Sequence, residues 1–181
     1  MTDTRAIAPR AEELKAAFDI GFALAPSAQE RVGFEDFLAI RAGRNPYALR
    51  LRDISGVVSN RKIAYLPSTV PAFLGVVGIR GTIFPAYRLA ALLNGNAASE
   101  ETKWLAICKT EEPLVLGFSE LEGYLRIPSS EIQATQRGAE VWEYVRETVR
   151  AGGAVRPVIC VPAAVQAIID RLGERRAQKE R

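Results

Sequence analysis

Apolar and polar residues alternate in short runs along most of the chain from Phe37 onward. Tyr47, Leu49 and Leu51, for example, alternate with more polar neighbours and predict a half-buried strand after a turn at Gly43–Pro46. Similar runs recur about every eight to twelve residues between turn signals, which is typical of a β-barrel or β-sandwich. The pattern therefore predicts a mainly β fold.

Further strands and turns follow from the same signals. The alternation slips at Asp53–Ile54, which indicates a β-bulge. Lys103–Lys109 and Val115–Leu121 are separated by Thr110–Pro113, and this arrangement predicts a hairpin. The polar stretch 94–102 is predicted to connect two lobes.

Helical spacing appears in the first third of the chain and near its middle. Residues 9–22 carry Leu14, Phe18 and Phe22 at intervals of four, which predicts a short amphipathic helix. Such a helix covers either the core of the protein or the surface of a partner. Leu89–Leu93 is predicted to form one helical turn that ends at Asn94–Gly95.

The last third of the chain contains two further predicted helices. Glu140–Arg150 has valines at intervals of four and predicts a helix, with a strand as the alternative. A final strand, Val155–Val161, precedes a helix that Pro162 opens. The residues of this helix expected to point inward are Val165, Ile168, Ile169 and Leu172.

Composition excludes several classes of chemistry. The 181 residues include no histidine, so an imidazole base, a histidine-ligated metal and a phosphoaccepting histidine are excluded. Cys108 and Cys160 stand far apart in apolar runs, so we expect two buried thiols rather than a metal site or a redox pair. No cofactor is expected.

Hydropathy and charge indicate in which cellular compartment the protein is expected. The sequence has no run of about 18 apolar residues and no secretory signal, so we expect a cytoplasmic protein without membrane insertion. The net charge of +3 is modest, and much of the positive charge lies in the last residues of the chain. We therefore expect a solvated tail rather than a nucleic-acid-binding stripe.

The most informative segment is Leu74–Leu89, which reads LGVVGIRGTIFPAYRL. Its three glycines, Gly75, Gly78 and Gly81, permit positive φ or the close approach of another backbone. The β-branched residues between them favour a strand in a small barrel. Arg80 stands between two glycines in this apolar strand, so it either braces the fold through a buried partner or faces a binding partner.

This segment resembles the most recognisable stretch of CheW-like domains, the adaptors of bacterial chemosensory arrays. The family pattern is approximately G-V-x-N-L-R-G-x-I-x-P-V-x-D-L. Similar stretches upstream are Phe37–Val58, which resembles the opening hairpin of the family, and Ile63–Leu74, which resembles its P-x-x-P-x-F-x-x-G segment. The residues that match the pattern directly are Gly75, Val76, Arg80, Gly81, Ile83, Pro85 and Leu89.

The resemblance covers about residues 35–170 and implies two SH3-like β-barrels that lie side by side, with a groove between them and a C-terminal helix. It implies a domain over residues 35–175, between an N-terminal helical extension (1–34) and a basic tail (176–181). The implied function is a non-catalytic adaptor whose partners are the regulatory domain of a CheA-type histidine kinase and the cytoplasmic tip of a chemoreceptor. The implied contact residues are Ile54, Val57, Val76, Ile79, Arg80 and Phe84.

The sequence departs from the family pattern at several positions. Gly78 replaces the usual asparagine, Arg88 replaces an aspartate, and Gly56 replaces an acidic residue of the opening hairpin. Two later aspartates correspond to Ser119 and Cys160. These departures leave open a specialised member that binds the kinase or another partner without receptor coupling.

The residues give little support to two unrelated functions. Gly78–Gly81 has the spacing of the GxxG loop with which KH domains clamp nucleic acid, but Pro85 and the β-branched Thr82 and Ile83 disfavour the helix that such a loop requires. An enzyme that uses Asp53 or Glu120 has no support from residue spacing.

Overall fold

The computed structural model describes residues 33–94, 101–135 and 144–179. These residues contain twelve β-strands and two α-helices. The helix predicted over residues 9–22 lies outside these ranges, as do residues 95–100 of the polar connection. The elements are β1 (Phe34–Ala42), β2 (Asn45–Arg50), β3 (Ile54–Ser59), β4 (Ile63–Ala64), β5 (Phe73–Ile79), β6 (Thr82–Arg88), α1 (Leu89–Asn94), β7 (Trp104–Cys108), β8 (Val115–Phe118), β9 (Glu120–Pro128), β10 (Ile132–Ala134), β11 (Val145–Ala151), β12 (Ala154–Ile159) and α2 (Val161–Lys179).

The strands form two six-stranded sheets with the same internal order. One sheet, which we name lobe A, has the order β10-β11-β12-β2-β1-β9, and the other, lobe B, has the order β4-β5-β6-β8-β7-β3. Each strand of lobe B corresponds to the strand six places away in lobe A. The described chain is therefore a structural repeat, β1–β6 with α1 followed by β7–β12 with α2.

The two halves of the repeat exchange their first hairpins. β1 and β2 belong to the first half but lie in lobe A beside β9–β12, and β7 and β8 lie in lobe B beside β3–β6. One parallel pairing in each lobe joins the halves: β12 with β2, and β6 with β8. Neither half contains all the strands of a lobe, so each lobe requires both halves.

Three apolar clusters fill the interior of the described residues. The interior of lobe A contains Phe37, Ala48, Ile127, Val149 and Val158. The interior of lobe B contains Val77, Ile79, Ala86, Leu105 and Val115. A third and larger cluster draws residues from both sheets and both helices, including Tyr47, Leu49, Leu89, Leu116, Phe118 and Ile168. The mainly β prediction with two barrel lobes is thus confirmed.

The structure corrects the prediction for β2. The strand was expected to be half-buried, but Tyr47 and Leu49 lie in the shared cluster while Ala48 lies inside lobe A, so both faces are covered. Leu51 belongs to a short 3-10 helix, Leu51–Asp53, rather than to the strand. The predicted bulge occurs slightly later, between Ile54 and Gly56.

The helix predicted over Glu140–Arg150 is wrong for the described part of that segment. Val145–Ala151 is strand β11, and residues 140–143 lie outside the described ranges. Val149 is buried in the interior of lobe A and pairs with Arg156 of β12. The alternation of apolar and polar residues that identifies a strand is interrupted at Glu147. This charged residue takes an inward position, where it forms an ion pair with Arg50 of β2.

Most of the remaining predictions hold. β7 and β8 form the predicted antiparallel hairpin, α1 begins at Leu89, and Pro162 lies in the first turn of α2. Val165 and Ile168 are buried as expected and Ile169 is half-buried. Leu172 was expected to point inward but is 39% exposed, because Ile169 is the last residue of α2 that packs against the shared apolar cluster.

Arg50 links three strands of lobe A through two ion pairs. The Nε of Arg50 lies 2.7 Å from Glu35 Oε2, its Nη2 binds Glu147, and the guanidinium lies 5.4 Å from the centre of the Phe37 ring. Burial alone lowers the pKa of Arg50, but the two carboxylates outweigh burial, so its pKa is raised. The cluster links β1, β2 and β11, which come from both halves of the repeat.

Replacement of Arg50 by methionine is expected to destabilise the protein by about 1–3 kcal/mol, because Glu35 and Glu147 lose their shared partner. Urea denaturation measures the change. Arg41→Met is the control, since its ion pairs with Glu120 and Glu122 are more exposed and are worth about 0–1 kcal/mol. Equal effects of the two variants would contradict the assigned role of Arg50.

Gly75 is required by the packing of β5 against β4. A Cβ atom there would lie 2.1 Å from the carbonyl oxygen of Ala64, and φ is +133°. Gly75→Ala is expected to lower the melting temperature by roughly 5 °C or more, which corresponds to about 2 kcal/mol for a domain of this size. Gly78→Ala is the matched control, because a Cβ there has no atom within 4 Å. A melting temperature for Gly75→Ala equal to that of the control would contradict this packing.

Candidate partner-binding site

The segment singled out in the sequence forms the hairpin β5–β6, closed by a two-residue turn of Arg80 and Gly81. Ile79 pairs with Thr82, and the two turn residues have φ values of 49° and 82°. Positive φ at both positions is the conformation of a type I′ turn, which suits the twist of a hairpin. Gly81 is favoured here because L residues with a side chain rarely adopt this conformation.

The position of Arg80 corrects the expectation that it lies within a strand. It is exposed at the tip of the turn and is one of two non-glycine residues in the described ranges with positive φ. Its side chain has no hydrogen bond or ion pair with another described residue. Arg80 therefore does not brace the described part of the fold.

The strand that follows the turn argues against the nucleic-acid-binding alternative. Residues directly after Gly81 form β6, Thr82–Arg88, and not a helix. A KH-type GxxG loop is followed by a helix, so the Gly78–Gly81 spacing does not form such a loop.

The two faces of the hairpin have different environments. Val77 and Phe84 are cross-strand partners, and with Ile79 they point into lobe B. On the opposite face Val76 pairs with Pro85, and Gly78 pairs with Ile83.

The six predicted contact residues therefore do not form one surface. Val76 and Arg80 lie at the surface of the hairpin, while Phe84 packs partly against the interior of lobe B. Ile79 is 2% exposed and Ile54 is 7% exposed, so both belong to the core. Val57 on β3 is half-buried against the shared cluster.

Sequence reasoning missed Ile83 as a surface residue. The Ile83 side chain is 71% exposed. Val76 and Pro85, the neighbouring cross-strand pair on the same face, are half-buried. A signal was present in the sequence: β6 is apolar at successive positions, so one of its faces carries apolar residues that the interior of lobe B does not accommodate.

The three glycines of the hairpin have different reasons to be glycine. Gly75 is fixed by its contact with Ala64 and Gly81 by the turn. Gly78 has neither a positive φ nor a neighbour within 4 Å of a would-be Cβ. Glycine within a strand costs about 0.5–1 kcal/mol relative to alanine, so the described fold gives no reason for glycine at this position.

Three cationic residues stand at the turn of the hairpin and just before its neighbouring strand β4. Arg61 and Lys62 directly precede Ile63 of β4, which pairs with Val77 of β5. Both are exposed, and like Arg80 their side chains form no ion pair within the described ranges. The hairpin and the residues just before β4 therefore carry three exposed positive charges that no carboxylate in the described ranges neutralises.

A separate groove runs between α2 and the turn that joins β7 to β8. Its volume is about 610 Å³, and its lining includes Lys109, Glu111, Val165 and Ile169. None of the six predicted contact residues lines it.

Groups that could act chemically are sparse in the described ranges. Burial raises the pKa of the Cys108 thiol to about 12, so it stays protonated at neutral pH, while Cys160 is half-buried. Burial is also the main cause of the raised pKa of Asp53. Within residues 33–94, 101–135 and 144–179 no three His, Cys, Asp or Glu side chains are grouped to hold a metal ion. No helix in these ranges is long and apolar enough to cross a membrane.

The fold has a counterpart of known structure. The chain is similar to the scaffolding protein TtCheW from Thermoanaerobacter tengcongensis, with a TM-score of 0.63 and 16% sequence identity. The match covers 69% of this chain and 88% of that one, and at this identity it supports the fold alone. No curated protein matches the sequence significantly.

The sequence itself matches a family model. The match is to the CheW-like domain and extends over residues 36–170, most of the chain. It includes both lobes and the β5–β6 hairpin. The chain therefore belongs to the CheW-like domain family, whose members are scaffold and adaptor proteins of chemotaxis signalling.

Proposed function

We propose that this protein is a non-catalytic adaptor that couples chemoreceptors to a CheA-type histidine kinase. The observation that carries the proposal is the β5–β6 hairpin, which presents Arg80 and an apolar face to solvent. Family membership supplies the class of partner, and the hairpin supplies a surface that the described fold does not use for its own stability.

The conformation of Arg80 supports a role in binding. A residue with a side chain in the left-handed region costs about 1–2 kcal/mol, and asparagine or glycine tolerates the position better. Arg80 forms no ion pair within the described residues that would offset this cost. An exposed guanidinium in a fixed turn is well suited to bind a carboxylate of a partner, because its donors form a planar fork.

The apolar half of the surface supports the same function. Ile83 is exposed beside the half-buried Val76 and Pro85, and these side chains give a partner an apolar contact area. Binding interfaces commonly combine such an apolar centre with a polar rim. Of the two buried candidates, Ile79 lies behind this hairpin in the interior of lobe B, whereas Ile54 belongs to the shared cluster.

The two-lobed architecture permits two partners at once. In the function that we propose, one lobe contacts the regulatory domain of the kinase and a second surface contacts the receptor tip. The groove beside α2 lies away from the predicted contact residues and is available to a separate partner. Coupling requires only that both partners are held by the same protein.

A specialised member that binds the kinase without the receptor is the second candidate. The observation that favours it is the use of Ser119, whose hydroxyl donates a hydrogen bond to the carbonyl oxygen of Arg41 at 3.0 Å. The resemblance implies an aspartate at this position, whereas Ser119 joins β1 to the β8–β9 connection. A surface with fewer acidic residues differs in charge from the one that a receptor would bind in other members of the family.

Arg80→Ala is expected to weaken binding of at least one partner about tenfold, which corresponds to about 1.4 kcal/mol, and to leave the melting temperature within about 2 °C. Calorimetric titration of the full chain against the kinase and against a receptor cytoplasmic fragment measures both affinities. Arg44→Ala is the control, because Arg44 is exposed at the β1–β2 turn of lobe A.

The two candidate functions predict different results for the wild-type protein. An adaptor binds both the kinase and the receptor fragment, whereas the specialised member binds the kinase alone. If Arg80→Ala binds both partners as the wild type does, the hairpin is not the coupling surface.

A further inference from the structure

Each half of the described chain completes the other by inserting a hairpin into it. In lobe A the hairpin β1–β2 lies between β12 and β9 of the second half, and in lobe B the hairpin β7–β8 lies between β6 and β3 of the first half. Both edges of each inserted hairpin therefore pair with the other half: β2 with β12, β1 with β9, β8 with β6 and β7 with β3. The two halves hold each other reciprocally.

The contacts between the halves lie in the interior of the lobes. In lobe A, Val158 of the second half pairs with Ala48 of the first, and both are buried. In lobe B, Ala86 of the first half pairs with Val115 of the second, and both are buried. Either half alone would expose this apolar surface to water, so each half requires a complementary half.

Polar contacts cross the same boundary. The Nε of Arg41 on β1 lies 2.6 Å from Glu122 Oε1 on β9, and Arg50 on β2 binds Glu147 on β11. Ser119 of the second half donates a hydrogen bond to the carbonyl oxygen of Arg41. These contacts specify which strands join. They are equally available when the two halves belong to different copies of the chain.

One stretch of backbone connects the halves. Asn94 ends α1 and Trp104 begins β7, and the nine residues between them read GNAASEETK. Ala90 of α1 and Thr102 line the same small cavity, so within one molecule the chain returns to the beginning of α1. Nine residues can extend over about 30 Å, which is long enough to lead into a second molecule instead.

We propose that two copies of this chain exchange their halves to form a dimer. The first half of each copy assembles with the second half of the other, so that every lobe contains strands from both chains. All the strand pairings and interior contacts between the halves are kept, and exchange of identical elements is a low-cost route to a dimer for this reason. The proposal does not depend on the adaptor function.

The exchanged dimer differs from the monomer in valency. Its lobes have the same outer surfaces as those of the monomer, but one particle carries each surface twice. A partner that has several binding sites close together therefore binds the dimer more tightly than the monomer without any new contact.

Concentration during folding decides between the two forms. A short flexible connection holds the second half near its own first half at an effective concentration on the order of millimolar. Folding in dilute solution therefore favours the monomer, and folding at high concentration favours exchange. Interconversion of the folded forms is slow, because both lobes must open before the halves can separate.

A disulfide between two chains detects the exchange directly. Asp36 of β1 and Arg126 of β9 form a cross-strand pair between the halves, and both are exposed. Full-length Asp36→Cys and Arg126→Cys chains, each with Cys160→Ser, are unfolded together in urea, refolded, oxidised and separated by non-reducing denaturing electrophoresis. The linked heterodimer is expected to contain less than about 10% of the protein after refolding at about 20 μM, and several times more at about 500 μM.

A matched control separates exchange from random collision. Gln133 is exposed on β10 of the second half, but β10 pairs with β11 and not with β1. Asp36→Cys refolded with Gln133→Cys is therefore expected to give only a background of linked heterodimer. Equal amounts of heterodimer from the two mixtures at about 500 μM would overturn the proposal.

A stiff connection is expected to favour the dimer. Six prolines in place of residues 95–100 form an extended spacer of about 19 Å, which disfavours the return of Thr102 to Ala90 within one chain. Alternating glycine and serine over the same six positions is the control. Light scattering at about 20 μM is expected to give the mass of a dimer for the proline variant and of a monomer for the control.

The two experiments together decide the proposal. A proline variant that folds as a monomer would contradict it, because both lobes would then form within one chain despite the stiff spacer. If the proline variant does not fold, the disulfide experiment with the natural connection decides, and heterodimer that does not rise above the control overturns the exchange.

Discussion

The exchange of hairpins between the two halves of the chain is the constraint on which the rest of the structure depends. β2 pairs in parallel with β12, and β8 pairs in parallel with β6, so each lobe is completed only by strands from the other half. The residues of these pairings, such as Leu49 and Leu116, lie in the apolar cluster that both lobes share. Loss of either half therefore removes strands from both lobes. The β5–β6 hairpin is joined to the second half of the chain where the end of β6 pairs with β8.

Strand pairing of this kind gives the small β5–β6 hairpin a regular backbone on which side chains are displayed. The last three residues of β6, Ala86–Arg88, pair with β8, and Thr82–Pro85 pair with β5 alone. The inward side chains of the hairpin pack in the interior of lobe B. The apolar residues on its outer face are thus presented on a fixed support rather than on a mobile loop. Arg80 and Gly78, which the described interior does not require, lie on this hairpin. In the proposed function, Arg80 faces a partner.

Sequence patterns predicted much of the fold and less of the site. The hairpins, α1 and the start of α2 were predictable because each has local signals, such as Pro162 or the alternation in β7 and β8. β11 was not, because Glu147 fills an inward position through a distant ion pair with Arg50. The hairpin was identified as functional, but the burial of Ile79 and the exposure of Ile83 depend on which face of β5 and β6 turns toward lobe B, and apolar residues on both faces leave that undetermined.

The central claim is that one chain holds a receptor and a kinase together, and co-sedimentation tests it most directly. Vesicles that carry receptor cytoplasmic fragments would be mixed with the CheA-type kinase, with and without the purified full-length chain, and the kinase in the pellet measured. The account predicts that the kinase sediments in proportion to the added chain and that the chain sediments with it. Kinase recovery that is independent of the chain, while the chain alone still binds the vesicles, would contradict coupling.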